Sequence, residues 1–512
     1  MSIVQTGACR RRIASKVSFR AAPLEPWTDA WVALDVRLEP DHLARLIDRA
    51  LSRLDLSPLW AAYAGFGSTA YPPERLLAAI LFETQRGHHR PAQWYRHAQE
   101  SDPVRWLLRG FVPSRRCWYQ FRDRVGSKLL GLVQQAVRQA IDEGFTPASR
   151  AAIDGTLLAA NASRHKLLNE SVLRQRCQKL AEAVAADEQG VPRAEQPRWL
   201  AATVRGRRRQ AARYHKARDE MARRQQRNRQ KRASKRTPAE RIVIAPWDAE
   251  AALGRDKEKV FRPLYNVQLL DDLDSPLILG WLVAAQPNDA GLMGPVLRQA
   301  KEGLGVTIKT AVADAGYAGG ADLAEAKELG ATVYAPWQEN DFSDKKEEKY
   351  YKKEQFTWLP QEQVYLCPQG QRLRFQGSSR QKRSGTEKIE LQMYRGEQQS
   401  CAACPKRSQC TPGKGARTIS RSEYEEHVEA LRERMKSEKA KQLYKLRKQT
   451  VELANADLKE HRELRKLSGR GLKRALAQVG LTVLAHDLVV LDGLRRKRRN
   501  GAEHATPSPP GS

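Results

Sequence analysis

The chain has 512 residues, with 90 Lys and Arg against 59 Asp and Glu and a formal net charge of +31. A basic excess of this size points to a polyanionic partner, nucleic acid first, and the 41% hydrophobic fraction leaves enough apolar residues for real cores. A membrane is not expected: there is no amphipathic anchor, and the most apolar stretch, "LTVLAHDLVVL", is short and broken by His486 and Asp487.

The N-terminus, "MSIVQTGACRRRIASKV", lacks the apolar region of a signal peptide. Seven cysteines are an odd set for a disulfide framework, so a reducing cytoplasm is expected. Residues 1–39 read as an extension. Residues 40–146 read as an all-helical domain: "YPPERLLAAILFETQRG" opens with prolines suited to a first helical turn and closes at a glycine. Arg115, Arg116, Trp118, Tyr119 and Arg122 in "PSRRCWYQFR" suggest a DNA-binding face, weighed about evenly against a plain bundle with a solvated basic side.

From 147 to 339 the character becomes α/β. "RAAIDGTLLAANA" has strand-like periodicity, followed by "PLYNVQLL", "LILGWLVAAQ", a helix, "TIKTAVAD", a helix and "ATVYAP". This order predicts a mixed sheet: three strands as a meander, then parallel crossovers. Residues 165–245 interrupt it as a very basic tract. With few apolar residues, it is expected to be an exposed helical arm, partly disordered when alone, that touches phosphates. Residues 340–435 form a charged, cysteine-containing insertion, 436–495 return to helix, and 496–512 read as a disordered tail.

Three acids stand out by position. Asp154 lies inside the first strand, Asp314 at the end of the fourth, and Glu452 in a helix after the fifth. A carboxylate inside a buried strand is costly unless it is paired or metal-bound. First and fourth strands can be sheet neighbours, so two carboxylates would meet. Mg²⁺ or Mn²⁺, bound through hard oxygen ligands, would relieve the repulsion. With a third carboxylate the set matches a two-metal phosphoryl-transfer site. The alternative for Asp314 alone is a turn cap before "AGYAGG".

At "IDGTLLAANAS", "VFRPLYNVQ", "VADAGY" and "RKQTVELANADLKEHR" the sequence resembles the DDE transposases of bacterial insertion sequences, in the group with a cysteine-bearing insert before the catalytic glutamate. The resemblance runs from about residue 40 to about residue 490. It implies a ribonuclease-H-like catalytic fold with flanking helices. It also implies two Mg²⁺ (or Mn²⁺) ions on Asp154, Asp314 and Glu452, and hydrolysis at the element's ends followed by attack of the freed 3′-hydroxyl on target DNA. Tyr444, Glu452 and Lys459 fit the family's signature around the last acid. Arg447 falls one residue early and Lys448 occupies the expected basic slot, so either could face a phosphate. Glu452 and Lys459, seven apart, would share one helical face. Asn266 and Gln268 match the Tyr-Asn-x-Gln block and would sit on one strand face beside Asp154. Glu463, Asp487 and Asn455 depart from the family's usual glycine, asparagine and apolar residue.

In the insertion, Cys367, Cys401, Cys404 and Cys410 have the ligand count of a structural zinc site, with free thiols or a redox pair as the alternatives. Cys9, Cys117 and Cys177 show no grouping. His88 and His89, away from the acids, are expected in a surface or turn role rather than in metal binding. The expected function is a DNA transposase that binds terminal inverted repeats and target DNA, as at least a homodimer on DNA. The rivals are a ribonuclease-H-like nuclease, an inactive transposase-derived DNA-binding protein, and an RNA-binding protein driven by the basic tract.

Overall fold

The structure is a computed structural model that describes residues 18–63, 69–190, 196–231, 233–336, 350–382 and 388–503. The N-terminal part is helical, as its periodicity predicts. Its main elements are α1 (Leu43–Leu51), α2 (Pro73–Gln85), α3 (Pro91–Glu100), α4 (Arg115–Val125) and α5 (Leu129–Asp142). Pro73 and Pro91 occupy first-turn positions, where a missing N–H costs nothing. In α4, Trp118 and Arg122 are buried, the latter bonded to Asp123, so only Arg115, Arg116 and Tyr119 of the five expected surface residues face solvent.

The central sheet has six strands: β1 (Arg150–Ala159), β2 (Ala252–Arg255), β3 (Phe261–Asp272), β4 (Ile278–Ala284), β5 (Thr310–Val312) and β6 (Thr332–Tyr334). Its order is β2-β3-β1-β5-β6, with β4 also paired to β3. β1, β3 and β4 form an antiparallel meander, while β5 and β6 run parallel to β1. The crossover helices are α8 (Met293–Leu304) before β5 and α9 (Gly320–Glu328) before β6. Gly305 ends α8 in the left-handed region (φ 71°), where glycine carries no Cβ penalty.

The basic tract carries a helical hairpin. Its helices α6 (Glu170–Glu188) and α7 (Val204–Arg229) pack together over Leu173, Leu180, Tyr214, Ala217 and Met221. The arm is helical, as expected, and its few apolar residues recur on matching faces of the two helices, which forms this seam. The Arg207–Asp187 ion pair is itself buried, with side-chain exposures of 6% and 7%. Arg205, Arg209, Lys216 and Arg218 remain exposed on the outside of α7.

The insertion carries a second, five-stranded sheet, from Thr357–Leu359 to Thr418–Ser422. The chain then enters α10 (Glu438–Ala456), a π-helical turn (Asp457–His461) and α11 (Leu472–Glu503). Residues 496–503, expected in a disordered tail, continue α11; residues 504–512 lie outside the described residues, as does Cys9. By length and composition Leu472–Asn500 would pass as a membrane span, contrary to the reading of its apolar stretch as too short, but 78% of the apolar window is buried inside the protein. α11 runs between the N-terminal helices and β3–β4, so one hydrophobic cluster extends from Trp31 to Leu488. The boundary placed at 146/147 is therefore no break in packing. Arg474–Asp123 and Arg495–Glu143 add ion pairs across it.

Candidate active site

Asp154 stands in the middle of β1. The parallel register pairs Ala152 with Val312, so two residues further on Asp154 is level with Asp314, just past the end of β5. Asp314 also caps the turn Ala315–Tyr317, its Oδ1 accepting from Gly316 N at 2.8 Å. The turn-cap role and the placement beside Asp154 thus coexist.

Asp154 is mostly buried, with a side-chain exposure of 13%. Arg447 donates to Oδ1 at 2.9 Å, and Asn455 donates to Oδ2 at 2.9 Å. Burial raises the Asp154 pKa, and Arg447, Asn455 and Lys257 offset this in part. Asp314 pushes it up further. Arg447 is buried, with its guanidinium near the Tyr444 ring, whereas Lys448 is exposed. The basic residue that faces the acid is therefore Arg447.

Glu452 is exposed on α10, one turn before Asn455, and among the described residues no hydrogen bond or ion pair engages it. The structure therefore brings Asp154 and Asp314 together and leaves Glu452 outside the pair. Lys459 belongs to the π-helical turn, so Glu452 and Lys459 do not share one continuous α-helix. Such turns interrupt α-helices often at functional sites. Lys459 is half-buried and its pKa is lowered, first by burial and then by Lys257, while Asp154 pulls the other way.

Asn266 and Gln268 share one face of β3, as predicted, but not the face of Asp154. Asp154 is opposite Leu269, and Gly155 is opposite Gln268; directly paired residues share a face. On the Gly155 face, Asn266 Nδ2 and Gln268 Nε2 both donate to Asp289 Oδ1 at 2.8 Å. Tyr317 O–H closes the set by donating to Gln268 Oε1. Burial, together with the charges of Asp289, Asp154 and Asp314, raises the Tyr317 pKa, which keeps the phenol a donor. Asp289 reaches Gly155 so closely that a Cβ there would overlap its Oδ1. It also stands beside the Asp314 turn: a Cβ on Gly316 would be 3.4 Å from Asp289 Oδ2 and 2.9 Å from Asp314 Oδ1. Asp289 was not among the acids that stood out by position in the sequence. Its signal was "QPND", an acid just after a strand that follows the Asn-x-Gln strand.

Below Asp154 lies a layer of buried acids. Asp271 is on the same face two positions along, fully buried, and both its carboxylate oxygens lack hydrogen-bond partners. Its pKa is pushed well up by burial, then by Asp154 and Asp487. Asp487 on α11 accepts from Ile278 N at 3.0 Å, and burial raises its pKa to about 7. A protonated Asp487 presents an asparagine-like pair of acceptor and donor. Glu463 has φ 49°, a left-handed conformation suited to glycine. Glu463 and Asp487 thus stand where a glycine would carry less backbone strain and an asparagine less charge.

The four insertion cysteines line one pocket with Tyr351, Arg407 and Arg417. Cys367 Sγ accepts from Gln371 N at 3.3 Å in a tight turn with Gly370 at φ 77°. Burial raises the Cys410 thiol pKa, and Arg417 works against this. Among the described residues, no three of these sulfurs close to within 4.8 Å of one another, so zinc binding would require them to draw in.

A mixed sheet with two strand-borne acids abreast, in a strongly basic chain, is an arrangement suited to metal-dependent phosphodiester chemistry. Residues 366–491 match the family model of a transposase DDE domain. That span contains the four cysteines and Glu452, and ends before the last turns of α11; Asp154 and Asp314 lie outside it. No curated protein and no solved structure matches the chain.

Proposed function

We propose that this protein is a DDE-type DNA transposase that cuts at the ends of an insertion sequence and joins them to target DNA. The observation that carries the reading is the register of β1 and β5, which sets Asp154 and Asp314 side by side, with Glu452 on the helix that covers Asp154. The strand order, with an antiparallel meander followed by two parallel strands, supports a ribonuclease-H-like core.

Asp154, Asp314 and Glu452 would hold two Mg²⁺ (or Mn²⁺) ions; the all-oxygen donor set suits hard cations. When bound, such ions activate the attacking oxygen and stabilise the leaving one in an in-line displacement. The chain supplies the rest. Arg447 fixes the Asp154 carboxylate; for the ions to be held, Glu452 would turn inward from the rim and Asn455 would release Oδ2. Lys459 and Lys257 bring positive charge toward the scissile phosphate. The exposed arginines of α7 and α4 bind backbone phosphates of the inverted repeats, and two ends are held by at least two copies. In the insertion, Cys367, Cys401, Cys404 and Cys410, once drawn together, would hold a structural Zn²⁺, with Arg417 beside Cys410 offsetting thiolate charge. The working compartment is the bacterial cytoplasm.

A second reading has its own observation: both oxygens of Asp154 are occupied by Arg447 and Asn455 while Glu452 faces solvent. That state would suit a DNA-binding protein that has lost cleavage. A strand-cleavage and strand-transfer assay on DNA carrying the element's ends, with Mg²⁺, separates the two. Wild-type protein should cut and join, and Asp314→Ala should lose on the order of 100-fold or more. Equal activity of the two proteins rejects the assignment, binding without cleavage by the wild type selects the second reading, and cleavage without joining selects a nuclease.

A further inference from the structure

Away from the acids, three side chains aim at one point where α2 passes into α3. Glu83 is in the last turns of α2, His88 in the turn that follows, and His97 near the end of α3. Glu83 Oε2 is 2.9 Å from His88 Nδ1 and 2.6 Å from His97 Nδ1. The three atoms lie within 4.8 Å of one another, the one such set of His, Cys, Asp or Glu ligands among the described residues.

The site is held in place from behind. The His88 backbone N donates to Glu83 O at 2.8 Å, and its carbonyl accepts from Trp94 Nε1 at 2.6 Å. Trp94 is buried, so this bond ties the turn to the core. The Glu83 side chain is 2% exposed, while the two imidazoles are 29% and 21% exposed: one side is sealed and the other open to water. Among the described residues, the ion-pair partners of Glu83 are these two histidines, and no Lys or Arg joins them. What converges on the shared point is thus one carboxylate oxygen and two imidazole nitrogens, a donor set that suits a cation.

We propose that Glu83, His88 and His97 form a three-ligand site for a divalent transition-metal ion, zinc first, with the open side left for water. Two imidazole nitrogens and one carboxylate oxygen match that donor preference, and hard Mg²⁺ does not suit them. Both Nδ1 atoms coordinate, with the ring protons on Nε2. The ion acts as a brace. The same corner presents His89, whose Nε2 is 2.5 Å from Arg462 O and whose carbonyl accepts from Ser468 Oγ at 2.9 Å. Gly87 lies against Glu463. Metal at the corner therefore stiffens the surface on which the segment after Lys459 rests.

The test uses the full chain, free of any affinity tag, stripped of metal and titrated with Co²⁺. Thiolate-bound Co²⁺ gives intense charge-transfer bands, whereas an imidazole and carboxylate site gives only weak visible bands. The paired substitution His88→Gln and His97→Gln, which keeps hydrogen-bond donors toward Glu83, should abolish the weak bands and lower the bound metal by about one equivalent. Unchanged stoichiometry and spectrum overturn the proposal. Where that variant does not fold, zinc X-ray absorption of the wild-type chain decides. Imidazole scattering from bound zinc supports the site; a sulfur-only shell, or zinc without imidazole, overturns it.

Discussion

Asp154 and Gly155 are consecutive residues of one strand, yet they face two different chemical settings. On the Asp154 side, a carboxylate is held by a buried guanidinium and an amide, with two further buried acids, Asp271 and Asp487, beneath it. On the Gly155 side, neutral amides and a phenol hold Asp289. The first face gathers acids whose carboxyls burial holds toward the protonated form, with Arg447 on Asp154 as the counter-charge, and a bound cation would favour their ionised form. The second face is a hydrogen-bonded scaffold in which polar groups satisfy one another. A strand can do both because successive side chains point to opposite faces.

The two faces differ most at Arg447. Arg447→Met should leave Asp154 buried without its counter-charge and cost about 3 kcal/mol, measured by denaturant unfolding of the metal-free protein. Added Mg²⁺ should recover part of the loss if the acid is a cation ligand. An unchanged midpoint would mean that the pair contributes nothing.

On the other face, Gly155→Ala would push a methyl into Asp289 and Gln268. A cost of about 2 kcal/mol is expected, together with loss of cleavage if Asp289 helps to place the Asp314 turn. Cleavage at the wild-type rate by a folded Gly155→Ala protein would separate the scaffold face from the chemistry.

The acids below Asp154 give a pH test. The folded-state pKa of Asp487 is raised from 3.8 to about 7, so the native state keeps a proton that the unfolded chain releases. Its contribution is complete below about pH 4 and is lost as pH rises toward 7, on the order of 1 kcal/mol per pH unit. Asp487→Asn should flatten that part of the stability curve; His486, Arg462 and Asp271, which act on the same group, remain in both proteins. Parallel curves for the two proteins would place the titration elsewhere.

The smallest effect is expected at Glu463→Gly. Relief of the left-handed backbone should outweigh the added flexibility of the unfolded chain and stabilise by about 0.5 kcal/mol, read as a small rise in melting temperature. A fall would show that the Glu463 contact with Gly87 contributes more than the strain costs.

Much of this was legible in the residues themselves. The alternation in "AAIDGTLL" and "TAVAD" placed Asp154 within a strand and Asp314 at a strand end, and the order of elements predicted a meander followed by parallel crossovers. Periodicity carries such information because a strand's faces alternate and a helix's do not. The face on which Asn266 and Gln268 point was not legible, because a one-residue change of register reverses it. Nor was Asp289, whose role depends on Gly155 lacking a side chain.

By itself, the sequence determined the basic character, the element types, the two strand acids and the cysteine-bearing insertion, all of which follow from local pattern and composition. Only the tertiary structure decided that Arg447 rather than Lys448 meets Asp154, that Asn455 stands where Glu452 was expected, and that Glu83, His88 and His97 converge. Those outcomes depend on helix rotation against the sheet and on contacts between distant segments. Packing across the whole core sets both, and no local window of the chain contains that information.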